Sequence, residues 1–184
     1  MSHFSILRFY RISAFFLLLG LLSLSVNLEA SPMKNQMIKD IVFKDINNKT
    51  HHLAEYRGKW LFINFWAGYC RICNKEIPTL IRFQQHNRNK VTVLGINYGA
   101  ETRQQIMAAI RRYRFNYSIV PDQASISGYF KDIPGTPTTI IVSPQGRVVA
   151  KAIGRESYQE LASYIDTQQY TGKEKIWDLN QSNN

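Results

Sequence analysis

The sequence predicts an α/β fold in which helices cover a single central β-sheet. Continuous apolar runs at residues 60–65 and 91–97 are typical of strands that are buried on both faces of a sheet. Stretches with helical spacing of apolar residues follow both runs. Strands that alternate with helices along a chain build a layered domain around one sheet, and this alternation is the basis of the expected fold class.

The composition is that of a globular protein with a substantial core. The 184 residues are enough for one domain with extensions, and a hydrophobic fraction of 45% against 20% charged residues argues against wholesale disorder. Lysine and arginine number 23 against 13 acidic residues, which gives a net charge of +10. This excess of basic residues suits acidic proteins, anionic lipids or nucleic acid, and it also serves solubility.

Residues 1–30 have the layout of a secretory signal. Arg8 and Arg11 precede an uncharged apolar stretch at 12–28, and Ala30 offers a small residue for cleavage. The stretch would span about 25 Å as a helix, somewhat less than a hydrocarbon core of roughly 30 Å. We expect either cleavage after Ala30 or retention of 12–28 as a membrane anchor, and in both cases the rest of the chain is exported. Because the chain is predicted to be exported, we do not expect nucleic acid to be its partner.

The exported part divides into a spacer at 31–37, a domain at 38–170 and a polar, flexible tail at 171–184. The domain is predicted to open with a hairpin. Short apolar runs at 41–43 and 52–53 flank a turn-forming segment rich in aspartate and asparagine, which is the usual pattern of two paired strands.

Strands and helices alternate through the rest of the domain. Pro121 ends one predicted strand because proline cannot donate a hydrogen bond to a sheet, and Pro144 with Gly146 forms a turn between the last two strands. Pro78 is expected to kink the first helix. The predicted strands are 60–65, 91–97, 117–120, 138–142 and 147–152, and the predicted helices are 70–86, 101–113, 124–130 and 156–165.

Cys70 and Cys73 are the two cysteines of the chain, and their spacing favours a chemical role over a structural one. A disulfide that closes so short a loop restricts the unfolded chain very little. Cys70 is predicted to open a helix, where free backbone N–H groups and the helix dipole favour thiolate over thiol. Cys73 lies one turn further on the same face. We therefore expect Cys70 to be the exposed nucleophile and Cys73 the buried resolving thiol.

A zinc site is the alternative for a Cys-x-x-Cys pair. Structural zinc takes about four ligands, and the sequence has no second cysteine pair. His51, His52 and His86 are the histidines that remain after export, and the first two fall in the predicted hairpin. We expect neither a metal nor a cofactor.

Four sequence segments, one of which contains the cysteine pair, form a wider pattern. They are YRGKW, NFWAGYCRICNKEIP, LGINYGAE and GTPTTIIVSPQGRVV, and they lie within residues 38–165. Together they resemble the exported TlpA, ResA and DsbE family of thioredoxin-like proteins. The resemblance implies a thioredoxin fold, with a central mixed sheet flanked by helices, an N-terminal β-hairpin and a central inserted helix–strand unit. It also implies thiol–disulfide oxidoreductase activity, with a redox disulfide between Cys70 and Cys73.

The resemblance assigns roles to positions around the cysteines. Pro137 matches the family's cis-proline, which packs beside the two sulfurs, whereas a proline considered alone usually follows a trans bond. The backbone next to such a proline can pair with a substrate peptide as an added strand. Trp66, Tyr69, Thr136 and Pro137 are accordingly predicted to contact the substrate.

Glu76 matches an acidic residue that the ResA branch carries just after its second cysteine. Its carboxylate is a candidate acceptor for the proton of Cys73, and a solvated position on the helix surface is the alternative interpretation. Asn64 stands where cytoplasmic thioredoxins have a buried aspartate, which favours the exported branch.

The predicted function is reduction of disulfides in exported proteins, with cytochrome c maturation as one such task. The resemblance implies two kinds of partner: exported protein thiols or disulfides, and a DsbD-type membrane protein that donates electrons. The predicted location is the periplasm or the outer face of the inner membrane. Three alternatives stay open. They are the oxidising, DsbA-like direction, which depends on the stability of the Cys70 thiolate, a copper chaperone with two thiolate ligands, and a peroxide reductase.

Overall fold

The computed structural model of the protein describes residues 35–130 and 132–166. The strands of this part are β1 (Val42–Lys44), β2 (Thr50–His52), β3 (Trp60–Trp66), β4 (Val91–Asn97), β5 (Ser118–Val120), β6 (Thr138–Val142) and β7 (Val148–Ile153). The helices are α1 (Arg71–His86), α2 (Arg103–Tyr113), α3 (Ala124–Ser127) and α4 (Tyr158–Ile165), with a 3₁₀ helix at Leu53–Tyr56. The predicted signal or anchor at 1–30 and the predicted tail at 171–184 lie outside the described residues.

A five-stranded mixed sheet holds the domain together, with its strands in the order β5-β4-β3-β6-β7. Strand β3 runs parallel to β4 and antiparallel to β6, while β4 and β5 are parallel and β6 and β7 are antiparallel. The unit formed by α2 and β5 adds the outer strand beside β4. Strands β1 and β2 pair with each other as a separate two-stranded sheet. This arrangement confirms the predicted mixed sheet and the N-terminal hairpin.

Strand β3 is buried along its whole length because both faces of the sheet are covered. Its alternate residues Leu61, Ile63 and Phe65 belong to one apolar cluster. Apolar residues of the hairpin and of α3 belong to the same cluster. Phe62 points to the opposite cluster, where Phe83 of α1 packs edge-on against it at 4.9 Å between ring centroids. Burial on both faces explains why the strand is a continuous apolar run rather than an alternating one.

The hairpin is shaped by Asp45 at its turn. The carboxylate oxygen Oδ1 of Asp45 accepts hydrogen bonds from the backbone N–H groups of Asn47 at 2.8 Å and Lys49 at 3.0 Å. Asn48 adopts a positive φ of 64°, which asparagine tolerates better than most residues. Oδ2 of Asp45 lies 3.1 Å from Nε2 of the buried His51, so that the turn is tied to β2. The histidine predicted in this hairpin is therefore part of its hydrogen bonding.

The start of the described chain lies against the turn between β6 and β7. Met37 forms an isolated antiparallel bridge with Arg147, and the N–H of Ile38 donates to the carbonyl of Gly146 at 2.8 Å. Residues 35–37 of the predicted spacer thus take part in the fold. Within 35–130 and 132–166, no helix has the length and apolar character needed to cross a membrane.

Candidate active site

The two sulfurs lie at the first turn of α1, where strand β3 delivers the chain through a tight turn. Cys70 is the N-cap residue of the helix, and its Sγ accepts a hydrogen bond from the backbone N–H of Cys73 at 3.1 Å. Cys70 and Cys73 form a disulfide. Cys70 is half-buried and Cys73 is only 1% exposed. The geometry puts one reachable sulfur at the positive end of the helix and the second sulfur beneath it.

The loop before β6 lies directly beside Cys70. The peptide bond between Thr136 and Pro137 is cis, as the resemblance implies. The carbonyl oxygen of Thr136 is 3.5 Å from Sγ of Cys70. The side chain of Thr138 donates to the carbonyl of Gly135 at 2.7 Å and so fixes the loop at the start of the strand. The carbonyl of Thr136, next to the cis bond, is therefore brought to the disulfide.

Glu76 is fully buried, one turn below Cys73 on the same face of α1. Its Oε2 accepts a hydrogen bond from Nδ2 of Asn64 at 3.1 Å, and its Oε1 accepts one from the backbone N–H of Glu156 at 2.8 Å. The Nδ2 group of Asn64 also donates to Oγ1 of Thr139 at 2.9 Å, which fixes the orientation of the amide. The solvated alternative for Glu76 is thereby excluded.

Burial sets the acidity of Glu76. Loss of solvent raises its pKa to about 7, and the hydrogen bonds from Glu156 and Asn64 and the charge of Arg155 oppose that rise without cancelling it. A carboxyl group that titrates near neutrality can accept a proton and give it up again under ordinary conditions. Its position therefore suits exchange of a proton with the neighbouring thiol of Cys73.

The two aromatic residues predicted to contact substrate lie at different depths. Tyr69 is 71% exposed, and Ile72, which lies between the two cysteines in the chain, is also exposed. Trp66 is 1% exposed and packs against Phe115, with 5.2 Å between the ring centroids. Tyr69 therefore lies open at the surface beside Cys70, whereas the ring of Trp66 is buried.

Glu101 also binds the turn between β3 and α1, although the sequence does not mark it as a site residue. Its Oε2 accepts hydrogen bonds from the backbone N–H of Gly68 at 2.6 Å and from Nδ2 of Asn97 at 2.7 Å. A Cβ at position 68 would lie 2.5 Å from Oε1 of Glu101, so a larger residue there would have to displace the end of the Glu101 side chain. Glu101 is the last residue of the family-like segment LGINYGAE, but that segment does not indicate its hydrogen bond with Gly68.

Glu156 is the other residue that was missed. It is 9% exposed, and burial together with the charges of Glu160 and Glu76 raises its pKa to about 7. The sequence gives no sign of this role, because Glu156 stands just before the last helix, where an acidic residue is common, and no local motif indicates that its backbone N–H binds Glu76.

Across 35–130 and 132–166, no group of three or more His, Cys, Asp or Glu side chains is arranged to hold a metal ion.

Comparison with known proteins places these features in a family. Residues 35–151 match the AhpC/TSA family. The thiol–disulfide oxidoreductase ResA of Bacillus subtilis is 28% identical over 130 residues, which cover 69% of this chain and 71% of ResA. The thioredoxin-like protein YneN of the same organism is 24% identical over 140 residues, or 75% of this chain and 82% of YneN. These homologues support an oxidoreductase activity for the Cys70–Cys73 pair.

Solved structures share the fold. The thioredoxin domain of a thiol–disulfide oxidoreductase from Bacteroides vulgatus has a TM-score of 0.62 at 21% identity, covering 72% of this chain and 98% of that domain. A thiol:disulfide interchange protein from Chlorobium tepidum also has a TM-score of 0.62, at 18% identity and with 73% and 96% of the two chains covered. The structural matches show that the chain has the thioredoxin fold. The match to the AhpC/TSA family spans more than half of the chain, so the chain belongs to that family.

Proposed function

We propose that this thiol–disulfide oxidoreductase reduces disulfides of exported proteins through Cys70 and Cys73. The observation that carries the proposal is the disulfide at the first turn of α1, with one sulfur reachable and the other buried above an acid that titrates near neutrality. This arrangement provides a nucleophile, a resolving thiol and a proton acceptor in one place.

The proposed reaction has two exchange steps. In the reduced protein, the Cys70 thiolate attacks one sulfur of the substrate disulfide and displaces the other sulfur as a thiolate, which leaves a mixed disulfide. Cys73 then gives its proton to Glu76, and its thiolate attacks the Cys70 sulfur. The Cys70–Cys73 bond forms, the second substrate sulfur leaves as a thiolate, and two electrons have passed to the substrate. The described structure corresponds to the oxidised end point.

Substrate contacts are proposed around the exposed sulfur. The carbonyl of Thr136 beside Cys70 suits pairing with an extended peptide, and Pro137 closes the same side. Tyr69 would cover the apolar part of the peptide. Trp66 remains a proposed contact, and because its side chain is buried, it would have to become exposed to reach a substrate.

The cellular setting is also a proposal. Residues 1–30 support export, with 12–28 either removed or kept as an anchor, and this puts the domain in the periplasm or at the outer face of the inner membrane. A DsbD-type membrane protein would then return two electrons to the disulfide. Cytochrome c maturation is one task that needs reduced cysteines in that compartment.

A pair of cysteine variants tests the proposed reaction. The purified full-length protein, reduced in advance, is mixed with a synthetic peptide disulfide, and thiols are counted over time. We expect Cys70→Ser to lose activity entirely because no nucleophile remains, and we expect Cys73→Ser to stop at a mixed disulfide whose mass equals protein plus half the peptide. Reduction by Cys70→Ser at the parental rate would refute the proposal.

The reduction potential decides the direction of the reaction. Equilibration with glutathione, followed by trapping of free thiols, gives the value for the Cys70–Cys73 couple. A potential near that of thioredoxin, about −270 mV, is expected for a reductant. A value near −120 mV would instead identify the oxidising alternative.

A further inference from the structure

The buried acid beneath Cys73 has no surface of its own. Glu76 is 0% exposed, and both of its oxygens are occupied by hydrogen bonds from Asn64 and from the backbone of Glu156. Oxidation of the protein releases the proton of the Cys73 thiol, since Cys70 already reacts as a thiolate, and the proton that Glu76 takes up has to reach water. The proton therefore needs a second group that touches both Glu76 and water.

Glu156 is the residue that meets this requirement. Its backbone N–H binds Oε1 of Glu76 at 2.8 Å, so that the two residues are joined through main chain and carboxylate. The residue as a whole is 9% exposed, whereas Glu76 is 0% exposed. Among residues 35–130 and 132–166, no donor makes a hydrogen bond to its carboxylate, in contrast to the fully occupied carboxylate of Glu76.

The charges around the pair favour a shared proton over two ionised groups. Glu76 and Glu160 both repel a charge on Glu156, while Arg155 partly compensates the charge on Glu76. Tyr117, packed beneath the site, has a pKa raised by its burial and by the charge of Glu76, so its hydroxyl does not ionise to compete for the role. Two adjacent acids with similar affinities for a proton can pass it without a large uphill step.

From this geometry we propose that Glu156 relays the proton between Glu76 and solvent during resolution of the mixed disulfide. The inference rests on the proposed function and deepens it. The thiol of Cys73 gives its proton to the carboxylate of Glu76, and the Glu76 carboxylic acid gives a proton to the carboxylate of Glu156, directly or through one water. Glu156 then releases the proton to solvent. Glu156 touches neither sulfur and acts through Glu76, so it is a positioning residue for the proton and not a catalytic one.

Three variants separate a relay from a structural role. Glu156→Gln keeps the backbone N–H that binds Glu76 but cannot carry the proton, while Glu156→Asp keeps a titrating carboxyl. Glu160→Gln is the matched control, because it removes one negative charge four residues away and keeps an oxygen for the backbone N–H of Ser157, which Glu160 now accepts. The measured quantity is the lifetime of the mixed disulfide with a peptide, by acid quench and mass spectrometry, from pH 5.5 to 8.5.

The expected result is specific to proton transfer. In dilute buffer, Glu156→Gln should resolve the mixed disulfide about 10-fold more slowly than the parent, which is less than the roughly 10²- to 10⁴-fold typical of a direct proton acceptor, because Glu76 still takes the proton of Cys73. Added formate, a small acid–base pair, should restore much of the rate, and Glu156→Asp should retain most of it. The parent and Glu160→Gln should not respond to formate.

Two outcomes would overturn the relay. Resolution by Glu156→Gln at the parental rate would show that the proton leaves by another route. A slow Glu156→Gln protein that formate does not rescue would show that the residue acts only through structure. Failure of the proposed function is separately visible, because a Cys70→Ser protein that still reduces the peptide, or a parent that forms no mixed disulfide, would remove the reaction itself.

Discussion

At the scale of single residues, the carboxyl group of Glu76 has an energetic cost that depends on pH. Its pKa is about 7 in the folded protein and close to its ordinary value of 4.5 in the unfolded chain. The folded state therefore binds one more proton than the unfolded state between these two values, and stability falls as the pH rises through that window. The stabilising contribution of the protonated acid is complete below about pH 4.5 and is lost above about pH 7.

We predict that Glu76→Gln flattens this pH dependence. The free energy of unfolding of the oxidised parent, measured in urea, should fall by several kcal/mol between pH 4.5 and pH 8, of which Glu76 accounts for about 3 kcal/mol. The variant should lose that share, and the remaining fall should come chiefly from Glu156, whose folded pKa is also about 7. A variant whose stability followed the parental curve would show that Glu76 is ionised in the folded protein throughout.

A residue of the site could be predicted from the sequence only where a short motif around it indicates its role. Cys70 and Cys73 stand in one short motif, which marks them directly, whereas the cis bond before Pro137 is implied only by the family resemblance. The burial of Glu76 could not be read, because it depends on Asn64 and Glu156, which are 12 and 80 residues away along the chain. Glu156 carried no local signal at all, since the helix-capping pattern that follows it explains an acidic residue equally well.

At the scale of elements, the turn between β3 and α1 depends on a carboxylate from outside it. Glu101 precedes α2 and binds the N–H of Gly68, so that the loop after β4 holds the turn that presents Cys70. The same oxygen binds Asn97 at the end of β4. The position of Cys70 is therefore set by two neighbouring parallel strands and the loops at their carboxyl ends.

We predict that Glu101→Ala destabilises the protein by roughly 1–3 kcal/mol, because the N–H of Gly68 and the amide of Asn97 lose a shared acceptor. Urea unfolding of the oxidised protein at pH 7 measures the loss. Glu101→Gln is the control, since its amide oxygen can still accept from Gly68, and its loss should be smaller. Equal stability of Glu101→Ala and the parent would mean that water replaces the carboxylate without cost.

The bounds of the elements show where local sequence patterns suffice. Strands β4 and β6 have the predicted limits, because each is a continuous apolar run within a sheet that is covered on both faces. Helices α2 and α4 begin two residues later than predicted, because Thr102 and Ser157 cap them and form capping boxes with Gln105 and Glu160. That S/T-x-x-E/Q signature is present in the sequence and outweighs the preference of the preceding acidic residues for a first helical turn.

Helix α3 departs further from its prediction. It was expected at 124–130, but regular helix ends at Ser127, and Phe130 is buried in the main apolar cluster beyond it. The aromatic ring stacks edge-on with Phe65 of β3 at 5.7 Å between centroids. Tertiary packing of that ring, which no local periodicity reports, sets the path of the chain after the short helix.

At the scale of the whole molecule, the sheet order brings distant segments to one place. Strand β6 lies beside β3 in the sheet, with Phe65 opposite Thr138, so the loop before β6 meets the turn after β3. Strand β7 follows β6 and returns the chain to Gly154, whose N–H donates to the carbonyl of Pro137 at 2.9 Å. Residues 154–156 are thereby placed next to Glu76. The active site is thus a consequence of adding β6, antiparallel to β3, and then β7, antiparallel to β6, to the three parallel strands β3, β4 and β5.

The net charge of the whole chain should govern how fast substrates reach this site. With 23 basic and 13 acidic residues, we expect the protein to attract acidic peptides over a distance that salt shortens, to about 10 Å at 0.1 M ionic strength. The exposed Arg71, next to Cys70, extends the same sign of charge to the nucleophile. Long-range attraction changes the encounter rate and leaves the chemistry of the sulfurs unchanged.

We therefore predict that salt separates two peptide disulfides that differ only in the charge of their flanking residues. For the acidic peptide, kcat/KM of reduction should fall roughly 3- to 10-fold between 20 and 500 mM NaCl, because screening removes the attraction. For a basic peptide around the same disulfide it should rise over that range, and kcat at saturation should stay constant for both. Arg71→Gln should weaken the response to salt without abolishing it, since the remaining positive charge is spread over the molecule. Identical salt curves for the two peptides would show that the charge of the chain serves solubility and does not select substrates.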